Sequence, residues 1–313
     1  MAPAPVPPAA VTPWWRNRRL IPWLVQAAAG LVLLVVIAFL VGNLVRNLTA
    51  AGLLLSWGWL DNPSGFDIAE TLLPFNAGLP YWRALLAGLV NTIRVVIAGL
   101  IGATLLGTVV GTASFSSNGL LRRLARIYVE LIRNIPLLLQ LVFWYFVVFL
   151  SLPNGEQAIQ LPGLVLAKSG LYLGHTQLVD GVWQGSLRFT VEFGALLTGL
   201  VVYTGAFIAE VVRGGVAAVP PGQWEAARSL GFSPLQTLQR IVLPQALRVI
   251  VPGLNSQYIS LAKNSSLAVA CGYTDLYSVA ETTLNQTGRA VEVVLILLGA
   301  YLVIDLLISA LMN

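Results

Sequence analysis

Between Pro22 and Leu44 the chain carries no charged residue. A helix needs roughly 20 apolar residues to cross about 30 Å of hydrocarbon, and inside lipid every backbone polar group must be bonded within its own element. Further apolar stretches recur at about residues 85–113, 135–152, 191–212, 247–262 and 291–312. The fold class this predicts is an all-α membrane protein of about six transmembrane helices. A β-barrel would alternate polar and apolar residues, and the run from Leu31 to Leu40 does not. Composition agrees, since 57% of residues are hydrophobic and 10% charged, against roughly 45–50% and 25% in soluble domains.

The Pro- and Ala-rich segment 1–21 reads as a disordered tail. The helix at 22–44 is too long for a signal-peptide core and reads as an anchor. Residues 45–84, with Asp61, Asp67, Glu70 and several Gly and Pro, read as an external loop, and 85–313 as a core of five further spans. Within it, the polar insert 153–188 reads as external, with 161–167 able to dip into the interface and no seventh span. Arginines set the orientation: Arg16, Arg18 and Arg19, then Arg122, Arg123, Arg126 and Arg133, then Arg213, Arg228, Arg240 and Arg248 all fall on one side of a six-span chain. Both termini are therefore expected in the cytoplasm. The net charge of +5 is explained by this topology and gives no footprint for nucleic acid. His175 and Cys271 are each the sole residue of their type, so neither a metal set nor a disulfide framework is expected.

The segment 220–245 specifies two short helices by local chemistry. Pro220, Pro221 and Gly222 break the preceding helix, residues 224–230 are good helix formers, and Gly231 stands where a left-handed C-terminal cap is expected. Ser233 followed by Pro234 is an N-cap with proline at the first helical position, predicting a second helix to about Val242 that stops before Pro244. Such a helix–turn–helix suits a docking knob; it equally suits a surface linker whose aromatics lie among lipid headgroups.

The spacing Glu225-Ala226-Ala227, then Gly231, then Ile241 and Leu243-Pro244 resembles the complete EAA loop of ATP-binding-cassette importer permeases. Asn91-Thr92-Ile93-Arg94, Tyr128-Val129-Glu130 with Arg133-Asn134-Ile135-Pro136-Leu137-Leu138, Tyr203-Thr204 to Glu210 with Arg213-Gly214-Gly215, and Lys263-Asn264-Ser265-Ser266-Leu267 resemble segments of the polar amino-acid branch of that family, the histidine, glutamine and arginine type. The additional N-terminal helix and long first loop are similar to the general L-amino-acid subgroup. The resemblance implies a type I importer permease fold with one additional N-terminal helix in a bacterial inner membrane. It implies ATPase subunits docked at Glu225, Ala226, Ala227, Gly231, Ile241, Leu243 and Pro244, a second and different permease chain, and an external or periplasmic amino-acid-binding protein. It assigns ATP and Mg to the ATPase; this chain itself has no G-x-x-x-x-G-K-[ST] loop.

Charges inside spans are costly, so Arg94, Glu192, Glu210, Glu292 and Asp305 each need a partner or an interface. Arg94 shares a helical face with Asn91 and can bind a carboxylate through two hydrogen bonds. That carboxylate is an amino-acid substrate's, or that of Glu130 or Glu192. Asn264, Ser265 and Ser266 offer polar groups at a helix break, either to a substrate or as a cap. Gly88, Gly99, Gly102, Gly107 and Gly111 suggest close helix packing. The rival readings are an ion-coupled secondary amino-acid transporter, for which no repeated half is found, and a membrane enzyme, for which no catalytic motif is found.

Overall fold

The computed structural model describes residues 21–50, 52, 55–179 and 182–312, so the tail with Arg16, Arg18 and Arg19 lies outside the described residues. The chain divides into two compact units, Met1–Ser56 and Trp57–Asn313. The first contains α1 (Ile21–Ala50), a single apolar helix of 30 residues, about 45 Å long at 1.5 Å per residue. The second contains the remaining elements.

Its centre is the pairing of α2 (Tyr81–Ala113) with α5 (Val191–Ala217). Small residues make that approach possible. A Cβ on Gly107 would lie 2.6 Å from the Ile208 side chain, and one on Gly111 would lie 2.8 Å from the Ala209 carbonyl oxygen. α10 (Ala290–Met312) completes the long apolar helices; α1, α2, α5 and α10 are each long and apolar enough to cross a membrane.

The helix pair that would make a fifth crossing, taken as one span, is bent. α3 (Gly119–Arg133) meets the helix Leu137–Phe149 at 105°; the latter begins as α4 (Leu137–Val142) and continues as a π-helical turn. The third span expected at 135–152 thus has a separate helix in front of it. Pro136 has no N–H and holds Ile135 away from helical geometry, which breaks the helix there. The Gln140 side-chain amide repairs the break by donating to the Ile132 and Ile135 carbonyls, both at 2.9 Å.

The connection before α2 is folded, not an open loop. Trp59 and Ile68 are buried against Tyr81, Leu85 and residues of α9 (Leu276–Thr287), and backbone bonds join Ser64 to Leu79 and Gly65 to Ala77. The second compact unit therefore includes this connection from Trp57 onward. The insert 153–188 holds a second unforeseen feature, six strands: β1 (Ile159–Leu161), β2 (Leu164–Ala167), β3 (Gly170–Leu173), β4 (Gln177–Val179), β5 (Val182–Gln184) and β6 (Leu187–Phe189). Antiparallel β1-β2-β3-β6 form one sheet and β4-β5 a hairpin, around Val165, Ala167, Tyr172 and Trp183.

The segment from Pro221 onward forms α6 (Pro221–Ser229), α7 (Pro234–Thr237), a π-helical turn Leu238–Val242 and α8 (Leu243–Asn264). The expected stop before Pro244 is absent. The π turn shifts the hydrogen-bond register just ahead of the proline and so accommodates a ring without an N–H. A 3-10 turn, Ser265–Cys271, ends α8, and α9 then leads to α10.

Candidate coupling surface and the polar faces of the bundle

The α6–α7 corner is closed by two complete capping motifs. Gly231 has φ +77°, its N–H donates to the Arg228 carbonyl, and the Phe232 N–H donates to the Ala227 carbonyl. Nothing lies within 4 Å of a Cβ built on Gly231, so the glycine is required by its left-handed backbone and not by space. Across the turn, Ser233 Oγ accepts from the Gln236 N–H while Gln236 Oε1 accepts from the Ser233 N–H. Gln245 of α8 donates to the Gln223 side chain of α6 at 3.2 Å. The corner is thereby fixed to the start of α8.

These constraints sort the EAA residues. Ala227 is fully buried, Ile241 is half-buried, and Glu225, Ala226, Leu243 and Pro244 are exposed. The Glu225 carboxylate forms no ion pair among the described residues. Leu230 is 74% and Leu235 61% exposed, an apolar tip that water does not favour. Beside them a shallow cleft of 390 Å³ is lined by Phe115, Val219, Trp224, Glu225 and Arg228. Phe115 was not anticipated, because it belongs to the distant α2–α3 turn.

The second set of expected residues lies elsewhere and is bonded within the fold, except that Asn91 Oδ1 is buried without a hydrogen-bond partner. Asn91 and Thr92 are fully buried; Asn91 Nδ2 donates to the Glu70 and Thr274 carbonyls, and Thr92 Oγ1 accepts from the Leu276 N–H. Arg94 pairs with Glu70 and lies over the rings of Phe189 and Phe193, so its partner is neither Glu130 nor Glu192. Ser265 and Ser266 donate to the Ala262 and Lys263 carbonyls, which is the capping role, and Asn264 closes α8. Of the other intramembrane charges, Asp305 pairs with Lys263 at 3.7 Å, Glu210 with Arg213, and Glu292 with Arg289; Tyr145 donates to Glu192 at 3.3 Å.

α8 presents an exposed stripe that is partly polar. Pro252, Ser256, Ser260 and Lys263 are all exposed, and their spacing of four, four and three places them on one helical face. Beside it, Asn255 Oδ1 is buried without a hydrogen-bond partner. Polar groups on such a face are costly against lipid tails.

Comparison with known proteins follows the same lines. Residues 103–313 match the family described as binding-protein-dependent transport system inner membrane component. The chain is similar to YhdX, an amino-acid ABC transporter permease protein of Escherichia coli (strain K12), at 38% identity over 93% of this chain and 92% of that one. It is also similar to AapQ, a general L-amino acid transport system permease protein of Rhizobium johnstonii, at 36% identity over 87% and 84%. A crystal structure of an amino acid ABC transporter with histidines superposes with a TM-score of 0.57 at 27% identity, over 74% of this chain and 92% of that one.

Proposed function

The chain belongs to the family of binding-protein-dependent transport system inner membrane components, and from that premise we infer that its α6–α7 corner is the seat of a separate ATPase subunit. It is a permease of an ABC importer for amino acids, built on the type I fold. The observation that carries the coupling role is the rigidly capped corner with Glu225 and Ala226 turned outward and the apolar Leu230 and Leu235 beside them. A docking helix must transmit force, and a corner held at both caps and tied to α8 moves with the membrane helix. Small Ala226 allows close entry into a groove, and an unpaired Glu225 offers a carboxylate to a partner's cation or backbone amides.

In this reading ATP and Mg are bound by the partner ATPase, and this chain carries the solute. A second permease chain completes the pathway, and an external binding protein delivers the amino acid. The face bearing α6 and α7 is cytoplasmic, as are both termini. The similarity to AapQ favours a broad L-amino-acid range.

The test is purification of the tagged chain in mild detergent from its native membrane, with identification of every co-purifying chain. A P-loop ATPase that accompanies wild type and fades with Glu225→Lys supports the assignment. An ATPase retained at full yield by both Glu225→Lys and Gly231→Trp removes the coupling role from this corner.

A further inference from the structure

Between α2, α3 and α5 lies a cleft of 610 Å³ that neither the coupling corner nor the α8 stripe includes. Arg126, Glu130 and Arg133 line it from α3, Glu210 and Arg213 from α5, and Gly111 and Ser114 from the end of α2. Residues 126, 130 and 133 recur at the i, i+4, i+7 positions that share one helical face. All three are exposed.

Glu210 and Arg213 neutralise each other: Arg213 Nε donates to Glu210 Oε2 at 2.9 Å and Nη2 pairs with Oε1. The α3 groups do not close in this way. Among the described residues no ion pair involves Arg126, Glu130 or Arg133. Arg133 instead lies over the Phe207 ring at 5.1 Å.

Position along the helices makes these open charges informative. Glu210 is seven residues before the end of α5 at Ala217, about 10 Å inside that end at 1.5 Å per residue. The Tyr128 hydroxyl, also on α3, donates to the Val202 carbonyl near the middle of α5 at 2.6 Å. Exposed guanidinium and carboxylate groups are costly against lipid tails, which favours a cleft open to water. Its open groups are two cations and one anion on one wall.

We propose that this cleft is a binding station on the solute's path, where a zwitterionic amino acid sets its carboxylate on Arg126 and Arg133 and its ammonium on Glu130. The inference rests on the reading of the chain as an amino-acid permease. A fork of guanidinium donors suits a carboxylate, and Glu130 rejects an anion that brings no cation of its own. The position near the α6 end of α5 makes it a late station, close to the coupling corner.

The chain's single cysteine, Cys271, is buried, so a cysteine placed in the cleft is a clean reporter. Val129→Cys, with Ser114→Cys as the second site, is made in the assembled complex in nanodiscs and labelled with a membrane-impermeant thiol reagent. Both should react, and an equimolar mixture of the proteinogenic L-amino acids other than cysteine, whose own thiol would consume the reagent, should slow the reaction at least fivefold. The N-acetyl derivatives, which lack the ammonium, should not. Adding Glu130→Gln or Arg133→Gln should abolish the protection while leaving the labelling. Labelling without amino-acid protection, no labelling at either site, or protection that follows the lipid headgroup instead would each overturn the proposal. Uptake by wild-type proteoliposomes is measured in parallel: its loss refutes the parent reading, whereas normal uptake with no protection refutes the station alone.

Discussion

Glu70 and Arg94 form a 2.5 Å ion pair that fastens the folded connection before α2 to α2 itself, with side chains 13% and 14% exposed. Glu70 Oε1 has no aligned hydrogen-bond donor, so the contact is ionic. Its other oxygen accepts from the Thr190 N–H at 2.8 Å, at the N-cap of α5. The carboxylate thus holds three segments, and it fills the place on Arg94 that a substrate carboxylate would need. Removing one partner leaves the other charge largely buried, which costs on the order of 2 kcal/mol after allowance for partial exposure. Arg94→Ala should therefore lower the thermal midpoint of the purified protein, and Arg94→Met with Glu70→Gln, which keeps an acceptor for the Thr190 N–H, should recover most of it. A weaker uptake KM for Arg94→Ala at unchanged stability would return this residue to the substrate path.

The α6–α7 corner predicts a conformational hierarchy at one position. Gly231 needs a positive φ and has open space around a Cβ. Asparagine visits that region readily and β-branched residues do not. Gly231→Asn should keep uptake within about twofold of wild type, and Gly231→Val should reduce it tenfold or more, because a strain of about 1–2 kcal/mol at the cap reorients α6. Equal uptake by both variants would show that the turn geometry is not required for coupling.

These two sites differ in how far the sequence disclosed them. The cap at Gly231 and the box at Ser233 are local, set by residues within four positions, and α2, α5 and α10 are announced by length and apolar character alone. Arg94 is different, because its partner lies in a connection with no periodicity and is brought near only when Trp59 and Ile68 pack against α2 and α9. The strands of the insert have three or four residues each, too few for a period of two to stand out. α8 is not among the helices apolar enough by themselves to cross a membrane, because its exposed face carries Ser256, Ser260 and Lys263.

Asp275 caps α9 in the connection between α8 and α10, accepting from the Ser278 N–H at 2.9 Å, and is 1% exposed. Burial pushes its carboxyl from 3.8 up to about 6 against the favourable bonds from Ser278. A raised folded pKa means the native state holds the proton more tightly than the unfolded chain. The carboxyl therefore costs stability progressively as pH rises from about 4 to 6, and fully above that. An asparagine at this position would retain a capping oxygen without the charge. Asp275→Asn should melt like wild type near pH 4 and be more stable at pH 8 by on the order of 1 kcal/mol. A variant less stable than wild type at pH 8 would show that the charge itself is needed by the α9 N-terminus.

The α2–α5 contact predicts that a single methyl group distinguishes two glycines in the membrane. At Gly107 an added Cβ would meet the Ile208 side chain at 2.6 Å and the Gly205 carbonyl oxygen at 2.8 Å. The second neighbour is backbone, so the clash cannot be relieved by a rotamer change and the helices must separate. Overpacking of this kind costs about 1–3 kcal/mol. At Gly299 of α10 an added Cβ meets nothing within 4 Å, and alanine is the better helix former by about 1 kcal/mol. Gly107→Ala should therefore lower the thermal midpoint while Gly299→Ala leaves it unchanged or raises it. The separation should also widen the neighbouring cleft, since Gly111 lines it one helical turn further along α2. Faster labelling of a Ser114→Cys reporter in the Gly107→Ala background would register that widening, and an unchanged rate together with unchanged stability would show that α2 and α5 have slack at this crossing.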